Sequence, residues 1–220
     1  MKISIIQPGI KRGNISYNTK KIQQLINKCQ GDLLIFPEYV LTGSLILDEN
    51  ADIYNWADQS KKAKKRLQIP DKKTVLLDML IEREGQIFNV CELLPGDDCQ
   101  EKVYPDSVEK GAGIVSGDEF KIFEKYGKRF KIVICTDFRY HDEIHREDTD
   151  FLVWITHFNT NTYGRAVSEM RHFVLREGIP VLASSPVSDK NIGNSTYANI
   201  HSVVSLSSYE GILEIELNDG

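Results

Sequence analysis

The segment DLLIFPE, residues 32–38, sets four consecutive apolar residues between Asp32 and Pro37. A short, continuous apolar run bounded by turn formers is the pattern of a strand buried on both faces. Upstream, NTKKIQQLINKC (18–29) spaces Ile22, Leu25, Ile26 and Cys29 at intervals of three and four, one apolar face of a helix that Gly31 stops. KISIIQ (2–7) is another apolar, β-branched run. Strand, helix and strand with short connections predict a crossover unit at the start of the chain.

Working outward, TVLLDMLIE (74–82) and GQIFNVCELL (85–94) predict neighbouring strands joined around Arg83, Glu84 and Gly85. EFKIFE (119–124) and FKIVIC (130–135) predict a hairpin around Tyr126-Gly127, the second strand ending on Cys135. DFLVWIT (150–156) predicts a strand, followed by a helix from about Arg165 to Glu177 closed by Gly178 and Pro180. PVLASS (180–185), HSVVSL (201–206) and GILEIEL (211–217) add three strands, and NADIYNWADQSKKAKKRLQI (50–69) a charged surface helix. Strands outnumber helices and their apolar runs are mostly continuous, so the expectation is an α/β fold with sheets covered on both faces, stacked in two layers. With no repeat, low-complexity tract or linker, residues 1–220 read as a single domain.

Composition narrows the function classes. At 220 residues, 41% hydrophobic and 27% charged, the chain can bury a sizeable core. A net charge of -5 argues against a protein that neutralises nucleic-acid phosphates. No apolar run approaches a membrane span, and MKISIIQPG lacks a secretory pattern. Cys29, Cys91, Cys99 and Cys135 are scattered without CxxC spacing, which fits reduced thiols and a cytoplasmic location. HDEIH (141–145) echoes the zinc-protease helix but has Asp142 where that motif needs Glu, so no metal is expected there. GAGIVSG (111–117) lacks dinucleotide-loop spacing, and the basic run KKAKKR (61–66) reads as a solvated helix face. No cofactor is implied.

Three buried-looking strands are followed by groups that acyl transfer uses: Glu38 after LLIFP, Lys102 in QEKVYP, and Cys135 closing FKIVIC. A thiol attacking an amide needs a base, a cation or donors for the developing oxyanion, and a turn that exposes the sulfur. Taken singly, each has a plain alternative. Cys135 is a core hydrophobe, Glu38 a carboxylate at a helix start, Lys102 a solvated surface cation.

Together their contexts carry more. DLLIFPEYVLTG (32–43), KVYP (102–105) and VICTDFR (133–139) resemble, in order, the three motifs of the nitrilase, or carbon–nitrogen hydrolase, superfamily. The opening ISIIQ and EMRHFVLREGIPVLAS (169–184) resemble flanking family segments. The resemblance implies an α-β-β-α sandwich of two mixed β-sheets flanked by helices, and a homo-oligomer, at least a dimer. It implies Cys135 as nucleophile forming a thioester, Glu38 as general base, and Lys102 with the Thr136 N–H as oxyanion stabilisers. It further implies Glu109 as a second, assisting glutamate, and Tyr39, His157, Phe158 and Asn159 as substrate-side residues. Asp137, two positions past the cysteine, is similar to amide-cleaving members, so the implied substrate is a small amide or N-carbamoyl compound, hydrolysed without a metal. The alternatives are a true nitrilase, an acyltransferase, and a catalytically silent binding or regulatory subunit. The chain departs from the family pattern at Tyr140-His141-Asp142, at Arg176, where the family carries glutamate, and in the short segment after Cys135.

Overall fold

The opening crossover forms as its apolar spacing dictates. Strand β1 (Lys2–Gln7) leads into helix α1 (Ile15–Lys28), whose first turn is capped by the Asn14 side chain on Tyr17 N–H, and the chain returns as β2 (Leu33–Ile35), parallel to β1. Ile22, Leu25 and Ile26 are the buried stripe of α1. The computed structural model describes residues 1–47, 52–144 and 149–217. The predicted surface helix is α2 (Ile53–Lys64), capped by Asp52; residues 50 and 51 of its predicted span lie outside the described residues.

Beyond α2 the first sheet grows through β3 (Thr74–Arg83), β4 (Gln86–Leu94) and β5 (Cys99–Glu101). The β3–β4 turn falls on Glu84-Gly85, both with positive φ, the backbone that a two-residue hairpin needs. Helix α3 (Ser107–Gly111) and β6 (Ile114–Val115) follow, and β6 pairs in parallel with β4. The second sheet contains β7 (Ile122–Lys125), β8 (Lys128–Ile134), β9 (Phe151–Ile155), β10 (Val181–Ser184), β11 (Thr196–Ala198) and β12 (Val203–Ser205). Helix α4 (Tyr163–Glu177) joins β9 to β10 and ends at Gly178 in the left-handed conformation, as the Gly-Ile-Pro signal required. The last strand, β13 (Gly211–Glu216), crosses back to pair antiparallel with β1 in the first sheet.

Both sheets are mixed. The first runs β13-β1-β2-β3-β4-β5, the second β12-β11-β10-β9-β8-β7. An apolar layer between them takes Ile3, Ile5, Leu33, Ile35 and Leu76 from one side and Phe130, Ile132, Phe151, Val153 and Leu182 from the other. The outer face of the first sheet is covered by α1 and α2, that of the second by α4. The architecture is therefore an α-β-β-α sandwich. Among the described residues no helix is long and apolar enough to cross a membrane.

Strand direction brings the chemistry-bearing side chains to one end of the sandwich. β2, β3 and β5 run one way in the first sheet, and β8, β9 and β10 are parallel in the second. Glu38, Lys102, Cys135 and His157 all lie just past the C-terminal ends of such strands, where the loops of parallel sheets gather ligands.

Candidate active site

The four strand ends converge. Lys102, 1% exposed, lies between two carboxylates, with Nζ 2.9 Å from Glu38 Oε1 and 2.7 Å from Glu109 Oε1. Asn89 Nδ2 donates to Glu38 Oε1 at 3.0 Å and reaches Glu109 Oε1 at 3.5 Å. Tyr39 is buried and donates its hydroxyl to Glu109 Oε1 at 2.7 Å. Glu109 is set in place from sequence: Asp106 caps α3, and Glu109 Oε2 answers by accepting the Asp106 N–H at 2.9 Å, a complete capping box. Glu101, next to Lys102 in the sequence, turns away to pair with Arg83.

Cys135 stands opposite this cluster. β8 ends one residue earlier than the sequence pattern predicts, at Ile134, and Cys135 opens a short helical turn with φ +48°. A non-glycine residue there is strained by about 1–3 kcal/mol and persists only when its surroundings enforce it. Here they do. Asp137 accepts N–H bonds from Ile134 at 3.0 Å and Tyr104 at 2.7 Å, Thr136 Oγ1 donates to the Tyr104 carbonyl, and Trp154 Nε1 donates to the Cys135 carbonyl. Phe138 stacks on Trp154 beneath the turn.

His157 completes the group. Its Nδ1 lies against Glu38 Oε2, and a ring nitrogen, a Glu38 oxygen and Cys135 Sγ all fall within 4.8 Å of one another. Two cationic partners already serve Glu38, so a metal ion would have to displace Lys102 or His157 to use that carboxylate. A cavity of about 390 Å³ opens over the thiol, lined by Thr136, Trp154, His157, Phe158 and Asn159 among others.

Burial and charge pull against each other in this pocket. Burial alone would raise the Glu38 pKa, but Lys102 and His157 outweigh it and hold the carboxyl down at about 2. Burial likewise opposes charge on Lys102, and Glu38, Cys135 and Glu109 override it, pushing the ammonium well above its usual range. The Cys135 thiol is raised by burial and by Glu38, against the pull of His157 and Lys102. Asp78, beneath the cluster on β3, is raised well above the carboxylate range by burial and by Glu38. Its Oδ1 accepts the Tyr39 N–H, and its Oδ2 has no partner among the described residues.

Not every residue singled out from sequence faces the cavity. Thr136, His157, Phe158 and Asn159 line it, although Phe158 is also core and the Asn159 carboxamide caps the turn at Asn161 and Thr162. Tyr39 supports Glu109 from behind. His141 packs against Asp142 and Arg176, while His145 lies outside the described residues. Sequence reading missed Asn89 and Asp78. Each is a lone polar residue inside an apolar strand, a signal that could have found them.

No family model matches the sequence, and no curated protein matches it. Solved structures do. The glutamine-dependent NAD+ synthetase of Acinetobacter baumannii superposes with a TM-score of 0.81 at 19% identity, over 97% of this chain and 44% of its own. The chain thus spans less than half of that synthetase. XC1258 of Xanthomonas campestris, a CN-hydrolase superfamily protein with an arsenic adduct in its active site, gives 0.78 at 15% over 98% of this chain and 89% of its own. The fold is the nitrilase fold. A variant of the nitrilase-superfamily amidase from Nesterenkonia sp. AN1, carrying the acetamide moiety of fluoroacetamide on its active-site cysteine, gives 0.80 at 15% over 99% of this chain and 90% of its own. The nitrilase fold expected from DLLIFPE, KVYP and VICTDFR is therefore the fold observed.

Proposed function

We propose that this chain is a thiol-dependent hydrolase of the carbon–nitrogen hydrolase superfamily, cleaving a small amide or N-carbamoyl compound. One observation carries the reading: Glu38, Lys102 and Glu109 form a single buried, hydrogen-bonded group facing the strained Cys135 at the floor of a cavity. Burying an ammonium and its carboxylates is costly and has no use in a plain core; a site that must stabilise a developing charge has reason to do it.

In this reading Cys135 Sγ attacks the amide carbon, and Glu38 is the carboxylate base of the site. Lys102 directs two of its three N–H donors at glutamates, leaving a third, with the Thr136 N–H, for the oxyanion. The C–N bond breaks, ammonia or an amine leaves, and water cleaves the thioester. The strain at Cys135 keeps the sulfur directed at the cavity. The neighbours support the chemistry by kind: a glutamine-dependent synthetase and amidases with adducts on an active-site cysteine. The same reading takes residues 1–220 as one hydrolase domain, acting in the cytoplasm as a homodimer.

The test is ammonia or amine release from a panel of small amides, N-carbamoyl compounds and nitriles, with wild type and Cys135→Ala side by side. Turnover of an amide or carbamoyl compound that Cys135→Ala abolishes is expected. Release confined to nitriles, or equal in the variant, overturns the reading.

A further inference from the structure

A second cavity, of about 430 Å³, lies between α2 and the outer face of the β3–β4 hairpin. It shares no lining residue with the cavity over Cys135, so what it binds does not depend on the reaction read for that thiol. We propose that it is a binding site for an α-amino acid with an apolar side chain. Lys61 faces the carboxylate, Glu82 the ammonium, and Met79 and Ile81 the side chain.

The form of the cavity follows from the residues around it. Tyr54, Ala57, Asp58 and Lys61 recur at spacings of three and four, so they share one side of α2. Ala57 stands in the middle of that side, where a longer side chain would fill the space. Met79 and Ile81, two positions apart on β3, enter from one face of the strand. Tyr54 is 55% exposed, yet its hydroxyl donates to the Gly85 carbonyl at 3.1 Å, which holds the ring between α2 and the hairpin turn. The site therefore has an apolar floor and a fixed aromatic wall. Its volume falls within the roughly 300–1,000 Å³ of small-molecule sites.

Charge selects the kind of molecule. Five ionisable side chains line the cavity: Asp58, Lys61, Lys64, Glu82 and Glu92. Asp58 pairs with Lys62 at 2.5 Å, and Lys64 with Glu92 at 2.5 Å, so those charges are answered within the fold. Lys61, the first residue of KKAKKR, is exposed and has no ion-pair partner among the described residues. Glu82 accepts the Gly85 N–H at 2.6 Å and pairs with no cation among them. One cation and one anion are left over, and they do not pair with each other. A plain anion would answer Lys61 and be repelled by Glu82, and a plain amine would do the reverse. A zwitterion answers both. An α-amino acid carries its two charges on one carbon, which leaves its side chain free to lie on Met79 and Ile81.

The experiment is isothermal titration calorimetry of the intact chain with L-phenylalanine. Two further titrants each lack one of its charges: 3-phenylpropanoate has no ammonium, and 2-phenylethylamine no carboxylate. L-Phenylalanine is expected to bind more tightly than either, by roughly twofold to fivefold per missing charge, the size of an exposed ion pair. Lys61→Met should cancel its advantage over 2-phenylethylamine, and Glu82→Gln its advantage over 3-phenylpropanoate. Both residues are exposed, so neither change disturbs the core. Ile81→Trp, which fills the floor, should abolish binding of all three. No binding of L-phenylalanine at millimolar concentration, equal binding of the three compounds, or affinities unchanged in both charge variants overturns the site. Loss of binding when Cys135 is alkylated with iodoacetamide would put the ligand in the catalytic cavity and overturn it as well. Amide turnover can fail with every one of these results intact.

Discussion

Lys102 shows how much one side chain can be asked to hold. Its ammonium is enclosed, and its two salt bridges are what make the enclosure tolerable. Breaking a buried pair by removing one partner costs about 3–5 kcal/mol, because the surviving charges are left uncompensated. In Lys102→Met the Glu38 and Glu109 carboxylates would face each other across an apolar stem, so urea denaturation at pH 7 should show a loss of that size. Wild-type stability in the variant would mean that the cluster is not ionised as described. The catalytic-looking residues are visible in sequence because each follows a strand and sits in a distinctive motif. Their supports are not. Asn89 and Asp78 are single polar residues in GQIFNVCELL and TVLLDMLIE, and only the pairing of β3 with β4 brings both beneath Glu38 and Tyr39. For His157 the sequence points only to a substrate contact, because nothing local to THFNTNTY shows that its ring meets Glu38 across the two sheets.

At the scale of elements, one tight joint is where the loop after α1 crosses β1. A Cβ on Gly31 would lie 2.5 Å from Ser4 Oγ and 2.6 Å from Ser4 N, and backbone cannot move aside as a flexible side chain can. Gly31 N–H also donates to Ser4 Oγ at 3.0 Å. Gly178, at the end of α4, has φ +73° but nothing within 4 Å of its would-be Cβ. Gly178→Ala therefore incurs only the left-handed penalty of about 1–2 kcal/mol. Gly31→Ala meets an overpacking cost of about 1–3 kcal/mol and loses register between α1 and the sheet. Thermal melts of the two variants should separate them: both lower Tm, and only Gly31→Ala also weakens near-ultraviolet signals from the packed core. Equal, purely thermal effects would mean that the β1 crossing relaxes freely. Most elements can be read from periodicity, including β1, the β3–β4 pair and the β7–β8 hairpin. The misses have physical causes. β5, β6 and β11 are two or three residues long, too short for a period, and β13 looks like any terminal strand until its antiparallel register with β1 carries it into the other sheet. Two departures from the family pattern answer each other: Arg176 of α4 forms an ion pair with Asp142 in the turn after Cys135.

For the whole molecule, the buried carboxylates give stability a pH dependence with two opposing signs. Glu38 has its folded pKa depressed from 4.5 to about 2, by Lys102 and His157 against burial. Between those values the unfolded chain binds more protons than the native one, so the Glu38 contribution is present above about 4.5 and is lost as pH falls toward 2. Asp78 has its folded pKa raised well above 3.8, by burial first and then by Glu38. There the native state holds the proton that the unfolded chain gives up, so the Asp78 contribution is present below about 3.8 and is lost as pH rises through its folded pKa. Asp137, raised by burial to about 6 despite Lys102 and its backbone N–H partners, adds a second loss between 3.8 and about 6. Stability measured by urea denaturation across pH should therefore climb out of acid with Glu38 and fall again toward neutrality with Asp78 and Asp137. Neutral isosteres separate the two limbs. Glu38→Gln flattens the acid rise, because the carboxyl whose pKa Lys102 and His157 hold down is gone. Asp78→Asn flattens the fall above about pH 4, because an amide has no ionisation cost at any pH, and its one remaining oxygen can still accept the Tyr39 N–H. If Asp78→Asn instead steepened that fall, Asp78 would be ionised in the native protein. Lys102 would then serve three carboxylates rather than two, and the charge balance around Cys135 would have to be redrawn.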